Sequence, residues 1–236
     1  MEGNGCYVTD NHGKKYLDFT SGIGVMNLGY NQAHLNKVLA QQAQKIWHMP
    51  NLYENQLQEI VAEKLIQEKD YLAFFCNSGA EANEAAIKLA RKATGKSQII
   101  TFTNSFHGRT YGAMSATGQS AIHNGFKPLV PGFIYVPYND FSALQEQASD
   151  QTAAIMLELI QGEGGVTVAD QEWIQQIVTL CQEKKILLIV DEVQTGIGRT
   201  GSLFAFEQFG IEPDIFTLAK GLGNGFPIGA MLGKTA

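Results

Sequence analysis

The chain has 236 residues, long enough for one large α/β domain or a domain and a half, and its 44% hydrophobic and 17% charged content is ordinary for a globular protein. The formal net charge of −6 gives no global attraction for nucleic acid or for anionic membrane, and no apolar run approaches the ~20 residues that span a bilayer. Cys6, Cys76 and Cys181 form no CxxC pair, the histidines show no metal-ligand spacing, and the first residues lack the basic-then-apolar order of a signal peptide; reduced thiols, no metal and a cytoplasmic setting are the expectations.

Residues 1–32 are rich in Gly, Asn and Asp and predict short extended pieces over 6–9 and 15–19, separated by the turn signal Asp10-Asn11-His12-Gly13. Residues 33–48 and 54–69 are helical in period, with Leu57, Ile60, Val61, Leu65 and Ile66 near one face and a break at Pro50-Asn51. From Tyr71 the rhythm changes. Strands are predicted over 72–76, 98–102, 133–136, 153–157, 186–190, 215–219 and 228–232, and helices over 80–93, 141–148 and 170–181. A Gly-rich stretch follows the second strand as far as 125. Asp170 is the expected N-cap of the last helix, whose Trp173, Ile174, Ile177, Val178 and Cys181 share one side. Apolar runs alternating with helices predict an α/β fold with a mostly parallel sheet covered on both faces.

In such sheets ligands bind beyond the carboxyl ends of the strands. Four of these ends carry candidate groups: Asn77-Ser78-Gly79-Ala80, Glu158, Asp191 and Lys220. Any one alone is an ordinary loop or capping residue; four in one chain point to a site. Lys220 and Asp191 are the informative pair. A lysine can form an imine with pyridoxal phosphate, and a carboxylate can hold the pyridine nitrogen protonated. Asp191 ends a continuous apolar run, where a carboxylate is costly unless paired. In Asp191-Glu192-Val193-Gln194, Val193 can pack against such a ring and Gln194 can donate to a phenolic oxygen. The competing reading, a helix N-cap after a strand, does not account for Lys220.

Ser78-Gly79-Ala80-Glu81-Ala82 joins a strand to a helix, where free N–H groups and the helix dipole make an anion site, and Gly79 permits close backbone approach. In Phe106-His107-Gly108-Arg109 the aromatic ring can stack on a planar cofactor and Arg109 can fork onto a carboxylate. Read alone, that segment is a core Phe, a surface His and a solvated Arg. Glu163, in a Gly-rich loop, is equally a solvated carboxylate or a partner for an arginine in the pocket. Gly221-Leu222-Gly223-Asn224-Gly225 lacks the GxGxxG spacing and runs into a strand, which disfavours a nicotinamide-dependent oxidoreductase.

Together Asn77-Ser78-Gly79-Ala80-Glu81-Ala82-Asn83-Glu84, Phe106-His107-Gly108-Arg109-Thr110, Asp191 to Arg199, and Thr217-Leu218-Ala219-Lys220-Gly221 resemble the class III, fold-type I aminotransferases that use pyridoxal phosphate. Ser21 to Val25, Asn51-Leu52-Tyr53 and Leu222 to Ala230 are similar to the acetylornithine-type members of arginine biosynthesis. The resemblance implies the fold-type I large domain over 41–236, with residues 1–40 as a partial N-terminal segment of a small domain whose C-terminal part is missing. It also implies roles. Lys220 forms the Schiff base and Asp191 binds the pyridine nitrogen. Ser78, Gly79 and Ala80 hold the phosphate. Phe106 and Val193 cover the two ring faces, and Glu192 and Gln194 complete the cofactor contacts. Arg109, Glu163 and Tyr53 serve the substrate. The partners implied are amino-acid and 2-oxo-acid substrates and, for an intact protein, a second copy in a homodimer. Tyr30 stands where the family commonly has histidine, and Glu54 where a second aromatic often follows Tyr53.

Overall fold

The computed structural model describes residues 1–235. In chain order it contains β1 (Glu2–Asn4), β2 (Tyr7–Thr9), β3 (Lys15–Leu17), α1 (Ser21–Gly24), α2 (Ala33–Ala43), α3 (Gln56–Ile66), β4 (Tyr71–Cys76), α4 (Gly79–Thr94), β5 (Gln98–Phe102), α5 (Tyr111–Ala116), α6 (Ser120–His123), β6 (Phe133–Val136), α7 (Phe141–Gln147), β7 (Thr152–Leu157), β8 (Ile160–Gln161), β9 (Thr167–Val168), α8 (Gln171–Lys184), β10 (Leu187–Asp191), β11 (Ile215–Leu218) and β12 (Gly229–Lys234). Single 3₁₀ turns lie at Ala205–Glu207 and Lys220–Leu222.

The central sheet has seven strands in the order β4-β12-β11-β10-β7-β5-β6. β11, β10, β7, β5 and β6 run parallel. β12 alone is reversed, antiparallel to both β11 and β4. The connection 219–228 is a loop, shorter than the crossover of about a dozen residues that a parallel return needs, so β12 comes back beside β11 in the opposite sense.

Alternate residues of each strand feed two cores. On one face Ile99, Met156, Ile189, Ile215 and Met231 meet Ala82, Ala86, Ile87 and Ala90 of α4. On the other, Ile100, Phe102, Ile155, Leu188, Val190, Phe216 and Leu232 meet Trp173, Ile174, Ile177 and Leu180 of α8. The alanine stripe lets α4 lie close on the sheet, which places its first turn over the strand ends.

The differences from expectation are local. Both early helices are shorter than predicted: α2 stops at Ala43, and α3 stops at Ile66 because Gln67 and Glu68 turn to positive φ. Asp170 sits at the N-cap of α8, yet its side chain makes no capping bond. β1 was not predicted; it pairs with β2. The Gly-rich stretch contains α5 and α6, and the loop after Glu158 contains the β8–β9 pair. α1 is one left-handed turn, with Ser21, Gly22, Ile23 and Gly24 all at positive φ. Its flanking segment is pinned to the sheet's loops: Asn27 Nδ2 donates to Ile197 O at 3.1 Å, and Leu28 N donates to Asn224 Oδ1 at 2.8 Å.

Candidate functional site

A cavity of about 340 Å³ opens at the carboxyl ends of β4, β5, β7, β10 and β11. Val25 from the N-terminal segment and 225–228 complete its wall. Ser78, Gly79, Ala80, Phe106, Glu163, Asp191, Val193, Gln194 and Lys220 all line it, so nine of the residues singled out from the sequence converge on one space.

The α4 end is built for an anion. Ser78 Oγ caps the helix by accepting from Glu81 N at 3.2 Å, and the Glu81 carboxylate turns back to accept from Asn77 N at 2.7 Å. The N–H groups of Gly79 and Ala80 open the helix, where no intrahelical acceptor exists for them. A Cβ on Gly79 would lie 2.8 Å from Val193 Cγ1, so glycine is what lets the Val193 side chain reach the helix.

At the deep end Asp191 is 3% exposed. Its Oδ2 accepts from Asn83 Nδ2 at 2.8 Å and stands 2.8 Å from His107 Nδ1; its Oδ1 accepts from Val193 N at 3.0 Å. Thr217 Oγ1 gives its proton to Asn83 Oδ1 at 2.8 Å, the shorter of its two contacts, and so orients the Asn83 amide. A carboxylate accepts about four hydrogen bonds. Three protein donors leave one position, which suits a ligand N–H. Burial alone pulls the His107 imidazole down, but the bond to Asp191, the Asp191 charge and Glu158 outweigh it and raise it overall.

Lys220 holds a positive φ of 45° in the turn after β11, an uncommon backbone state for a non-glycine residue and one that concentrates at functional sites. Burial lowers its amine from the usual lysine range, helped by Arg199 and opposed by Asp191, Glu163 and Glu158. Burial likewise pushes the Glu158 carboxyl up to about 7, with Asp191 adding to the rise and His107, the Phe106 N–H and Lys220 opposing it.

Gln194 lies between Gly162 and Gly24, and a Cβ on either glycine would press on its side chain. Its Oε1 and the Nε2 of His107 are buried without a hydrogen-bond partner among the described residues. An amine, a buried carboxylate with one free acceptor position, a helix N-terminus, an aromatic wall and two unfilled hydrogen-bonding atoms suit a planar pyridine that bears a carbonyl and a phosphate. Pyridoxal phosphate has that chemistry, and the residues present fit it.

Three residues named from the sequence lie elsewhere. Glu192 is buried away from the cavity, where it accepts from Thr195 Oγ1 at 2.6 Å and Phe206 N at 2.8 Å and so pins its own loop. Arg109 is exposed beside the cavity and does not line it. Tyr53 is 67% exposed and borders a separate depression with Asn51 and Phe74. The reading of His107 as a surface residue is overturned: it is 1% exposed, because its ring is drawn inward to Asp191. Asn83, His107 and Thr217 were not identified as site residues from the sequence. Asn83 carries a signal, since it is a polar side chain beside the alanine stripe that α4 buries.

The chain matches the family model for class-III aminotransferases over residues 1–236. It is 62% identical over 234 residues, 99% of the chain, to an acetylornithine aminotransferase of Listeria monocytogenes serotype 4b, and spans 61% of that protein's length. Among solved structures, an N-acetylornithine aminotransferase from Stenotrophomonas maltophilia is 40% identical with a TM-score of 0.85, covering 100% of this chain and 61% of its own. An ornithine aminotransferase from Toxoplasma gondii, described with partial occupancy of PLP at its active site, is 33% identical with a TM-score of 0.93, covering 100% and 58%. Sequence and fold therefore agree that this chain belongs to the class-III aminotransferases.

Proposed function

We propose that the chain is the cofactor-holding part of a pyridoxal-phosphate-dependent aminotransferase that moves the δ-amino group of N2-acetyl-L-ornithine to 2-oxoglutarate. The observation that carries the reading is the placing of Lys220, Asp191 and the α4 N-terminus around one cavity. The relatives named above support the choice of donor. Residues 41–236 are read as the large domain, and 1–40 as a segment belonging to a small domain. Arginine biosynthesis, a cytoplasmic setting and a homodimer go with this reading. No helix among the described residues is long and apolar enough to cross a membrane.

When bound, pyridoxal phosphate supplies an electron sink that lets a C–H bond beside an amine ionise. The protein's residues do the rest. The Gly79 and Ala80 amides and the α4 dipole hold the phosphate. Asp191 would hold a proton on the ring nitrogen, and Asn83 and His107 keep Asp191 in place. Phe106 and Val193 would cover the pyridine ring, and Gln194 would offer it a hydrogen-bonding group. Lys220 anchors the cofactor. Its half-buried amine, less basic than a free lysine, would be the group that takes and returns a proton at the substrate carbon beside the amine. Arg109, Glu163 and Tyr53 are proposed for the substrate carboxylates and side chain. Arg109 and Tyr53 must then move in, or be met by substrate at the cavity mouth.

The test is an absorbance spectrum of the protein with pyridoxal phosphate, beside Lys220→Ala. A long-wavelength band in the wild type, absent from the variant and bleached by N-acetylornithine, supports the proposal. A band bleached better by ornithine, succinylornithine or 4-aminobutyrate reassigns the donor within the family. A band that no amine affects makes this chain a silent cofactor domain, and no band removes the proposal.

A further inference from the structure

Glu158 is an acid that the reaction above does not use. It is the first residue past β7 and is 5% exposed, and no lysine or arginine side chain among the described residues is within ion-pair distance of it. Its position is held from behind: Tyr138 Oη donates to Glu158 O at 2.6 Å, and the Tyr138 ring packs edge-on against Trp173. Its Oε2 accepts from Phe106 N at 2.9 Å. Its Oε1 has no protein donor among the described residues, and Glu158 lines the cavity.

A buried carboxylate is costly, and an apolar side chain of similar size would fill the same space without that cost. The groups that act on it come from three neighbouring strand ends. His107 and the Phe106 N–H lie after β5, Asp191 ends β10, and Lys220 follows β11. Asp191 is already engaged by three protein donors, and Glu163 is exposed. Among the described residues, Glu158 is thus the buried acid near Lys220 that keeps an oxygen free.

We propose that Glu158 is a positioning residue of the cofactor site: its Oε2 sets the Phe106 backbone, and so the ring that covers the cofactor, while its charge acts on the Lys220 nitrogen. The proposal rests on reading the cavity as the pyridoxal phosphate site. Two effects follow, and two substitutions separate them. Glu158→Gln keeps an oxygen for the Phe106 N–H and removes the charge. Glu158→Ala removes both.

The experiment is a pH titration of the Lys220-dependent absorbance band of the holoenzyme above pH 7, together with the dissociation constant for pyridoxal phosphate, in wild type and both variants. An anion near Lys220 favours the protonated nitrogen. Loss of that anion in Glu158→Gln is expected to lower the titration midpoint by about one unit, with cofactor affinity within about threefold of wild type. Glu158→Ala is expected to lower the midpoint similarly and also to weaken affinity by about tenfold, the worth of one lost hydrogen bond. An unmoved midpoint in Glu158→Gln overturns the electrostatic role, and unchanged affinity in Glu158→Ala overturns the positioning role. A wild-type protein without the band removes the cofactor reading itself, an outcome distinct from both.

Discussion

Asn83 Nδ2 bridges two acceptors, donating to His107 O at 2.7 Å and to Asp191 Oδ2 at 2.8 Å. One side chain of α4 therefore ties the helix whose first turn is the proposed anion site to the carboxylate at the far end of the same cavity. The distance between a phosphate site and a pyridine-nitrogen site has to be constant if one rigid cofactor is to fill both. Here it is fixed by hydrogen bonds to a residue four positions into the helix, with Thr217 holding the amide from below.

Replacing Asn83 by Ala leaves Thr217 Oγ1, His107 O and Asp191 Oδ2 each short of a buried partner. Unsatisfied buried groups cost about 1–3 kcal/mol, and Asn83→Ala is expected to lose at least 2 kcal/mol, roughly the middle of that range, in urea denaturation of the cofactor-free protein. It is also expected to weaken pyridoxal phosphate. A variant as stable as wild type, with the same affinity, would show that the bridge does not couple the two sites.

The pH dependence of stability follows from His107. Its folded-state pKa is raised by Asp191 above the unfolded value. The folded state then binds the proton more tightly than the unfolded one, so the contribution is complete below an unfolded pKa of about 6.5 and is lost as pH rises through the higher folded value. The stability of wild type relative to His107→Gln is expected to be greatest near pH 6 and to shrink steadily toward pH 9. Parallel stability curves for the two proteins would mean that His107 stays neutral throughout.

Gly79 is required by contact and not by its dihedral angles. An added methyl would meet both Val193 methyl groups, at 2.8 and 2.9 Å, with Ala219 Cβ at 3.4 Å. Overpacking of this kind costs about 1–3 kcal/mol, and Gly79→Ala is expected to weaken cofactor binding by at least tenfold, a factor that corresponds to about 1.4 kcal/mol. Shortening the opposing side chain relieves the clash, so Gly79→Ala with Val193→Ala is expected to recover part of the loss. If the double variant binds more weakly than the two single effects added together, the contact is not the cause.

The sheet and its strand ends were legible because parallel strands are buried on both faces and read as continuous apolar runs, each stopping at a polar residue. Lys220, Asp191 and Gly79 could be found on that basis. His107 could not, because a histidine between a phenylalanine and a glycine reads the same whether its ring turns in or out, and its partner lies 84 positions away. Thr217 was hidden by its own β-branching, which makes it an ordinary strand former within an apolar run. Glu192 failed in the opposite direction: adjacent to Asp191 in a strand-end motif, it points to the other side of the chain and serves the loop. Arg109 and Tyr53 were chosen for chemistry that requires a substrate, and neither lines the cavity.

The N-terminal segment gives the last prediction. Ser21 and Ile23 both sit in the left-handed region, which costs roughly 1–2 kcal/mol per residue outside glycine, so α1 persists only while its surroundings hold it. Arg199 is the principal charged tie: its Nη2 donates to Gly24 O at 3.0 Å and also to Asn27 Oδ1. Hydrogen bonds to a charged donor are worth about 1.5–3 kcal/mol. Arg199→Ala is therefore expected to raise amide exchange at Val25 and Met26, whose N–H groups bond back to Ser21 O, by at least tenfold, a factor equal to about 1.4 kcal/mol of local opening. The amides of Leu188 and Val190, deep in the sheet, are expected to be unaffected. Because Val25 walls the cavity, the same variant should release pyridoxal phosphate faster. Unchanged exchange at Val25 and Met26 would show that the Asn27 and Asn224 bonds hold the segment without Arg199.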